Sequence, residues 1–199
     1  MYPVVAALDV EMGRALEAAR ALRDEIAGFK VGWDLVLEAG LDAVRAVSRY
    51  GPVVVDLKLA DVPHIVVRVL EKIVAAGACC AIAHGFLLPS LPADPRLYVL
   101  VKMTAGSLYD GLWRQLLDRV AGFRGVVAPG NQPETVSEAR RALGCSARIV
   151  SPGIGAQGGR PGDAIRAGAD FEIVGRYLIE DPTRIAEWRG VRPYCGNTL

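Results

Sequence analysis

Val53-Val54-Val55-Asp56-Leu57-Lys58-Leu59-Ala60-Asp61-Val62-Pro63 opens as a buried strand and closes as a charged loop. The run of β-branched residues predicts a strand. Side chains two apart on a strand share a face, so Asp56 and Lys58 are expected to point the same way. Asp61 follows in the loop, and Pro63 suits the first turn of a helix, where its missing N–H is no loss. In an α/β barrel the inward face is normally filled by branched apolar side chains, and active sites are built at the carboxyl ends of the strands. Charges there are costly unless paired or used. A salt bridge closing the top of the barrel is the plainer reading; charges ending two other strands argue against it.

The same unit recurs along the chain. Short apolar runs at Val4–Leu8, Gly28–Val31, Val53–Leu57, Cys80–Ala83, Leu97–Val101, Gly125–Ala128, Arg148–Ser151 and Phe171–Val174 predict strands. Between and after them, helical periodicity is predicted near Met12–Glu25, Asp34–Tyr50, Pro63–Ala76, Ser107–Ala121, Gln132–Leu143, Pro161–Ala167 and Pro182–Trp188. Strand alternating with amphipathic helix implies a parallel sheet, and eight such units favour a closed (β/α)8 TIM barrel. An open Rossmann-like sheet is the alternative, weakened because no Gly-x-Gly-x-x-Gly follows the first strand. One unit is short: Pro89, Pro92 and Pro95 crowd the fourth connection, so a reduced fourth helix is expected. The 199 residues are read as a single barrel domain spanning 1–199.

Composition narrows the function. Basic and acidic residues number 23 and 22, so no global field attracts nucleic acid or an anionic membrane, and an anionic ligand needs a local site. No apolar run approaches the ~20 residues that span a bilayer, and Met1–Asp9 reads as an opening strand rather than a signal peptide, so a cytoplasmic protein is expected. Cys79, Cys80, Cys145 and Cys195 fit neither a zinc knuckle nor a CxxC pair and are read as buried thiols. A Cys145–Cys195 disulfide is the alternative if the source is a hyperthermophile. Two Asn, three Gln and an excess of Arg over Lys suit a thermophile or a GC-rich genome alike.

Two constellations carry the chemistry. Asp9 ends the first strand, Lys30 the second, and Asp56 with Lys58 the third; two of the chain's four lysines thus meet two aspartates at one mouth. Each alone is weak evidence, but alternating signs at one place are strong. The second constellation is Ser151-Pro152-Gly153-Ile154-Gly155-Ala156-Gln157-Gly158-Gly159 after strand seven, joined by Gly175-Arg176 after strand eight. Loops seven and eight are where these barrels bind phosphate, and a guanidinium matches phosphate geometry. A glycine-rich loop alone is often only a flexible turn; the Gly-Arg at the next strand favours the phosphate reading. His84 reads equally as a structural residue or a ligand contact, His64 as an exposed helix start, and Trp33, Trp113 and Trp188 as packing residues. With two histidines, no metal-ligand cluster assembles from spacing, so no metal and no cofactor are expected.

These segments, together with His84-Gly85-Phe86, resemble the orotidine 5′-monophosphate decarboxylases, particularly the archaeal forms, in order through nearly the whole chain. The Asp-x-Lys-x-x-Asp element is shared with sister decarboxylases and aldolases; Lys30 and the Ser-Pro-Gly-Ile-Gly-Ala-Gln-Gly loop make the match specific. The resemblance implies a carbon–carbon lyase that converts orotidine 5′-monophosphate to UMP without a cofactor. It implies that Asp9 and Lys30 hold the ribose and the charge network. Asp56 sits against the substrate carboxylate, and Lys58 protonates C6. A homodimer with shared sites is implied, Asp61 reaching into the partner with Val62 lining the site. Thr104 falls on the pyrimidine ring, Pro152 opens the substrate loop, and Gln157 bridges pyrimidine and phosphate. Gly155, Gly175 and Arg176 grip the phosphate. Ile65 stands where the family often has a hydroxyl residue on the ribose.

Two other functions fit parts of the same sequence. A Mg²⁺-dependent sugar-phosphate decarboxylase or aldolase of the same barrel group would stabilise an enediolate through the metal, and Lys30 opposes a cation there. A non-catalytic phosphate-binding barrel would keep Gly155 and Arg176 but need no Lys58.

Overall fold

In the opening strand Val5 and Ala7 pack into the barrel interior, while Val4, Ala6 and Leu8 pack outward against helices. The strands thus separate two cores, which is why they read as near-continuous apolar runs. The computed structural model describes residues 1–196 and 198–199. Its strands are β1 Tyr2–Ala7, β2 Ile26–Val31, β3 Val53–Leu59, β4 Cys80–His84, β5 Leu97–Leu100, β6 Gly125–Val127, β7 Arg148–Pro152 and β8 Phe171–Val174. They close in sequence order into a parallel barrel, β8 pairing with β1 through Val174 and Ala6. The TIM-barrel expectation holds, with every predicted strand in place.

The outer layer is thinner than periodicity implied. Helix α1 covers Met12–Leu22. The single helix expected over 34–50 is two, α2 Trp33–Ala39 and α3 Leu41–Val47, divided at Gly40, whose φ of 59° leaves helical space. Helix α4 runs Pro63–Ala75. The fourth connection carries only a 3₁₀ turn, Gly85–Leu87, as its prolines required. The helix expected over 107–121 is a 3₁₀ turn, Leu108–Gly111, followed by the short α5, Trp113–Leu117. Helices α6 Pro133–Leu143, α7 Asp163–Arg166 and α8 Arg176–Ile179 complete the ring, and 182–188 is 3₁₀.

Two buried carboxylates fasten the last units, where the glycine-rich loop is anchored. Asp170 accepts from the Ile149 N–H at 2.7 Å and from Arg140 Nη2 at 2.5 Å. Glu172 accepts from the amides of Gly162 and Ala164, each at 2.9 Å, and from Trp188 Nε1 at 2.5 Å. Burial pushes the Glu172 carboxyl up, against the pull of those donors. Trp188 is fully buried, so truncating it to alanine would cost ~3–5 kcal/mol.

The cysteine reading needs correction: Cys145 and Cys195 form a disulfide, with Cα atoms 5.6 Å apart, leaving Cys79 half-buried and Cys80 buried as free thiols. Beyond the bridge, Arg148 Nε donates to the Thr198 carbonyl at 2.6 Å, and Leu199 packs against the apolar layer inside the barrel. Gly28 leaves room for it, since a Cβ there would meet Leu199 Cδ2 at 2.6 Å and the Pro52 carbonyl at 2.5 Å. Trp113 and Trp188 are packing residues as expected; Trp33 is half exposed and is not.

Candidate active site

Asp9, Lys30, Asp56 and Lys58 meet at the carboxyl-terminal mouth as one alternating chain of charge. Lys30 Nζ donates to Asp9 Oδ1 at 2.8 Å and lies 3.7 Å from Asp56 Oδ2. Lys58 Nζ is 3.1 Å from both carboxylate oxygens of Asp56. The inner members are the shielded ones: the Lys30 and Asp56 side chains are 10% and 11% exposed, against 48% for Asp9 and 37% for Lys58. Burying such charges costs several kcal/mol each unless partners compensate, so removing one member leaves another uncompensated. Gly32 makes the space, because a Cβ there would stand 2.8 Å from Asp9 Oδ1.

The simple strand alternation that placed Asp56 and Lys58 together is only part of the cause. The β3–β4 register shifts between Val55 and Leu59, and Lys58 has φ 45°, the only positive value at a non-glycine among the described residues. A long side chain held in this region costs of order 1–3 kcal/mol and persists only where the surroundings impose it. The irregular strand end folds the Lys58 ammonium back onto Asp56.

Facing this chain across a cavity of about 480 Å³ are Gly153, Ala156 and Gln157 after β7, with Gly175 and Arg176 after β8. That volume suits a small ligand. The glycine loop is tied to itself: the Gly155 N–H donates to the Gly159 carbonyl at 2.7 Å, and the Gly159 N–H to that of Gly153 at 3.0 Å. Gly155 has φ 77°, and a Cβ there would lie 2.5 Å from Cβ of Tyr177, so only glycine fits.

Asp9, Lys30, Asp56, Lys58, Thr104, Pro152, Gln157, Gly175 and Arg176 all line this cavity. Gly155 does not; it faces a shallower groove beside Tyr177 and Arg184. Asp61 and Val62 are exposed and stand outside the lining, the Asp61 carboxylate accepting from the Val62 N–H at 2.7 Å. His84 also lies outside it, with Nδ1 2.7 Å from the Tyr109 hydroxyl. Burial, and then the Lys58 charge, lower the His84 pKa, against the opposing pull of Asp56.

Two lining or bracing residues escaped the sequence reading. Lys102 lines the cavity, 15% exposed and 3.9 Å from Asp110; its position at a strand end, as one of four lysines, was the available signal. Asn131 Nδ2 donates to the carbonyls of Thr104 and Gln157, 3.2 Å each, tying the loop after β5 to the glycine loop. No local pattern announces that role. Among the described residues, no group of three or more His, Cys, Asp or Glu is placed to hold a metal ion.

Fold and site together define a (β/α)8 barrel in which a Lys–Asp charge chain opposes a glycine-loop and arginine cradle. Comparison with known proteins narrows that class. Residues 2–91 match the model of the orotidine 5′-phosphate decarboxylase / HUMPS family. Over 200 aligned residues the chain is 37% identical to the orotidine 5′-phosphate decarboxylase of Methanosarcina mazei, covering 92% of this chain and 91% of that one. The crystal structure of the Pyrococcus horikoshii orotidine 5′-phosphate decarboxylase superposes with a TM-score of 0.82 at 33% identity, covering 94% of this chain and all of that one. The Metallosphaera sedula decarboxylase structure gives 0.82 at 29% identity, with 96% of each chain covered. The chain belongs to the orotidine 5′-phosphate decarboxylase family.

Proposed function

We propose that this protein converts orotidine 5′-monophosphate to UMP and CO₂, the last step of de novo pyrimidine nucleotide synthesis, with Lys58 as the proton donor. The carrying observation is the Lys58 ammonium, fixed 3.1 Å from both Asp56 oxygens in a cavity whose opposite wall holds Arg176. Breaking the bond from C6 to the carboxylate leaves an electron pair on a ring carbon with no conventional sink. A preorganised ammonium beside that carbon stabilises the developing charge and then delivers its proton. Asp56, next to the leaving carboxylate, opposes the ground state, while Lys30 holds Asp56 and Asp9 in register. Arg176, Gly175 and the Pro152–Gln157 loop would take the phosphate. Thr104 would face the pyrimidine. Binding energy gained at the phosphate can be used to hold C6 against Lys58.

The reading includes a homodimer with shared sites. It is supported by exposed apolar side chains on successive mouth loops: Trp33 after β2, Val62 after β3 and Phe86 after β4 are each more than half exposed. A second copy covering this rim would bury them and bring Asp61 and Val62 to the partner's cavity. Gly155 would act by shaping the phosphate loop rather than by donating its own amide. The phosphorylated substrate does not cross membranes unaided, which supports a cytoplasmic site for the activity, alongside the synthesis of that substrate.

The test is the absorbance change on conversion of the orotidine nucleotide to UMP by purified protein, with and without EDTA. Turnover without added metal, unchanged by EDTA, is expected. A strict Mg²⁺ requirement would assign the site to the sugar-phosphate enzymes of the same barrel group instead.

A further inference from the structure

The amino-terminal floor of the barrel, opposite the charged mouth, carries a second reactive arrangement. Cys79 and Cys80 lead into β4 with their sulfurs 2.9 Å apart, roughly 0.9 Å beyond the ~2.05 Å of a disulfide bond. Cys80 is fully buried in the interior layer with Val54 and Tyr98, while Cys79 is partly exposed at its edge. Arg124 stands over the Tyr98 ring, 5.9 Å from its centroid. The Tyr98 hydroxyl and Arg124 Nε are both buried beside this pair, and Tyr98 is wholly enclosed.

The electrostatics sort the two thiols into different roles. The hydrogen bond between the two sulfurs, aided by the Arg124 charge, brings Cys79 down to about 7 despite its burial. The same hydrogen bond, and then burial, push Cys80 up. Cys79 is also the more exposed of the two sulfurs, which suits it to be the nucleophile of the pair, with the buried Cys80 within reach of it.

We propose that Cys79 and Cys80 form a redox-active vicinal dithiol, in which small hydroperoxides oxidise Cys79 and Cys80 resolves the product to an intramolecular disulfide. The Cys79 thiolate attacks the terminal peroxide oxygen; the S–O bond forms, the O–O bond breaks, and the alkoxide leaves as alcohol after taking a proton. The Cys80 sulfur then attacks the sulfenic sulfur of Cys79. The S–S bond forms, the S–O bond breaks, and hydroxide leaves as water with the Cys80 proton. One hydroperoxide and two thiols give one disulfide, one alcohol (water, from hydrogen peroxide) and one water. Neighbouring Cα atoms are about 3.8 Å apart across a trans peptide, below the usual disulfide span of about 4.4 Å or more, so the 79–80 link must shift as the ring closes. The link lies at the entry to β4, where the Cys79 N–H donates to the Val53 carbonyl at 2.9 Å and Cys80 pairs with Val54, so this end of the ladder must give as the ring closes.

Both cysteines fall in the single tryptic peptide 73–96, which makes the test direct. The protein, with Cys145–Cys195 intact, is treated with hydrogen peroxide, alkylated and mapped. The expected product is peptide 73–96 lacking two hydrogens and closed to alkylation, reopened by dithiothreitol. In Cys80→Ala the resolving thiol is gone, and dimedone should capture the Cys79 sulfenic acid in higher yield than in the wild type. Iodoacetamide labelling of Cys79 should show a midpoint near pH 7, moving upward in Cys80→Ala as that hydrogen bond is lost. Thermal melts report whether that variant folds, and decarboxylation should be unchanged because Lys58 lies at the opposite mouth. Both cysteines still alkylatable after peroxide, equal dimedone capture in the two proteins, or a disulfide between chains in place of the 79–80 link would each overturn the proposal.

Discussion

Lys58 places its ammonium 3.1 Å from each carboxylate oxygen of Asp56, although a single residue separates the two in the chain. A regular strand would carry them side by side; the φ of 45° at Lys58 turns one back on the other. Backbone strain and the proposed proton donor therefore coincide at one residue. Lys58→Ala should lower turnover by at least ~10³-fold, the scale of a lost general acid with its charge stabilisation, while UMP binding changes little. Lys58→Gly should be equally inactive yet more stable than Lys58→Ala by about 1 kcal/mol, because glycine adopts positive φ without strain. Steady-state kinetics and urea unfolding measure the two halves separately. Near-normal turnover in either variant would remove Lys58 from the mechanism.

Asn131 ties the Thr104 and Gln157 loops together through two 3.2 Å hydrogen bonds to their carbonyls. Asn131→Ala should raise KM roughly tenfold, about 1.4 kcal/mol of binding, as the loops separate. Asn131→Asp should do no better, since an ionised carboxylate cannot donate to a carbonyl. Unchanged KM in both would show that the loops hold their places without it.

The proposed sharing of sites between two subunits makes a quantitative prediction. Lys58→Ala and Asp61→Ala should each be nearly inactive. In a mixed dimer one site carries both lesions and the other neither. Random reassortment makes half the dimers mixed, so roughly a quarter of all sites should regain wild-type activity. Co-expression or joint refolding forms the mixtures, and mass spectrometry counts them. Mixed dimers without recovered activity would mean that Asp61 serves its own subunit, or no site.

The Cys145–Cys195 bridge closes a loop of 50 residues. In the chain-entropy account such closure is worth about 4 kcal/mol, which at ~2–4 °C per kcal/mol predicts a Tm lower by ~10 °C in Cys145→Ala/Cys195→Ala. Scanning calorimetry checks this against the oxidised parent. An unchanged Tm would show that Arg148 and Leu199 seat the tail unaided.

Whatever rests on local periodicity was legible in the chain. Val53–Val55 read as a strand, and it is one; its burial on both faces is served by the same β-branched residues that give the strand signal. Pro89, Pro92 and Pro95 foretold the missing helix, since a proline ring excludes helix regardless of context. The helix expected over 34–50 failed at Gly40, where a weak propensity signal concealed a change of direction needed to wrap the barrel.

Residue order alone determined the eight strands, the closing topology they favour, and the strand ends that carry Asp9, Lys30, Asp56 and Arg176. Those are properties of short segments, and the barrel converts position along a strand into position at the mouth. Other features were decided only when distant segments met. They include the bent-back Lys58, the Asn131 brace, the Gly155 amide turned into its own loop, the pairing of Cys145 with Cys195, and the burial of Cys80 beside Tyr98. Each depends on distances between residues far apart in the chain, or on a strand end released from its ladder. Neither composition nor spacing carries that information, because the same local sequence is compatible with many such contacts until packing selects one.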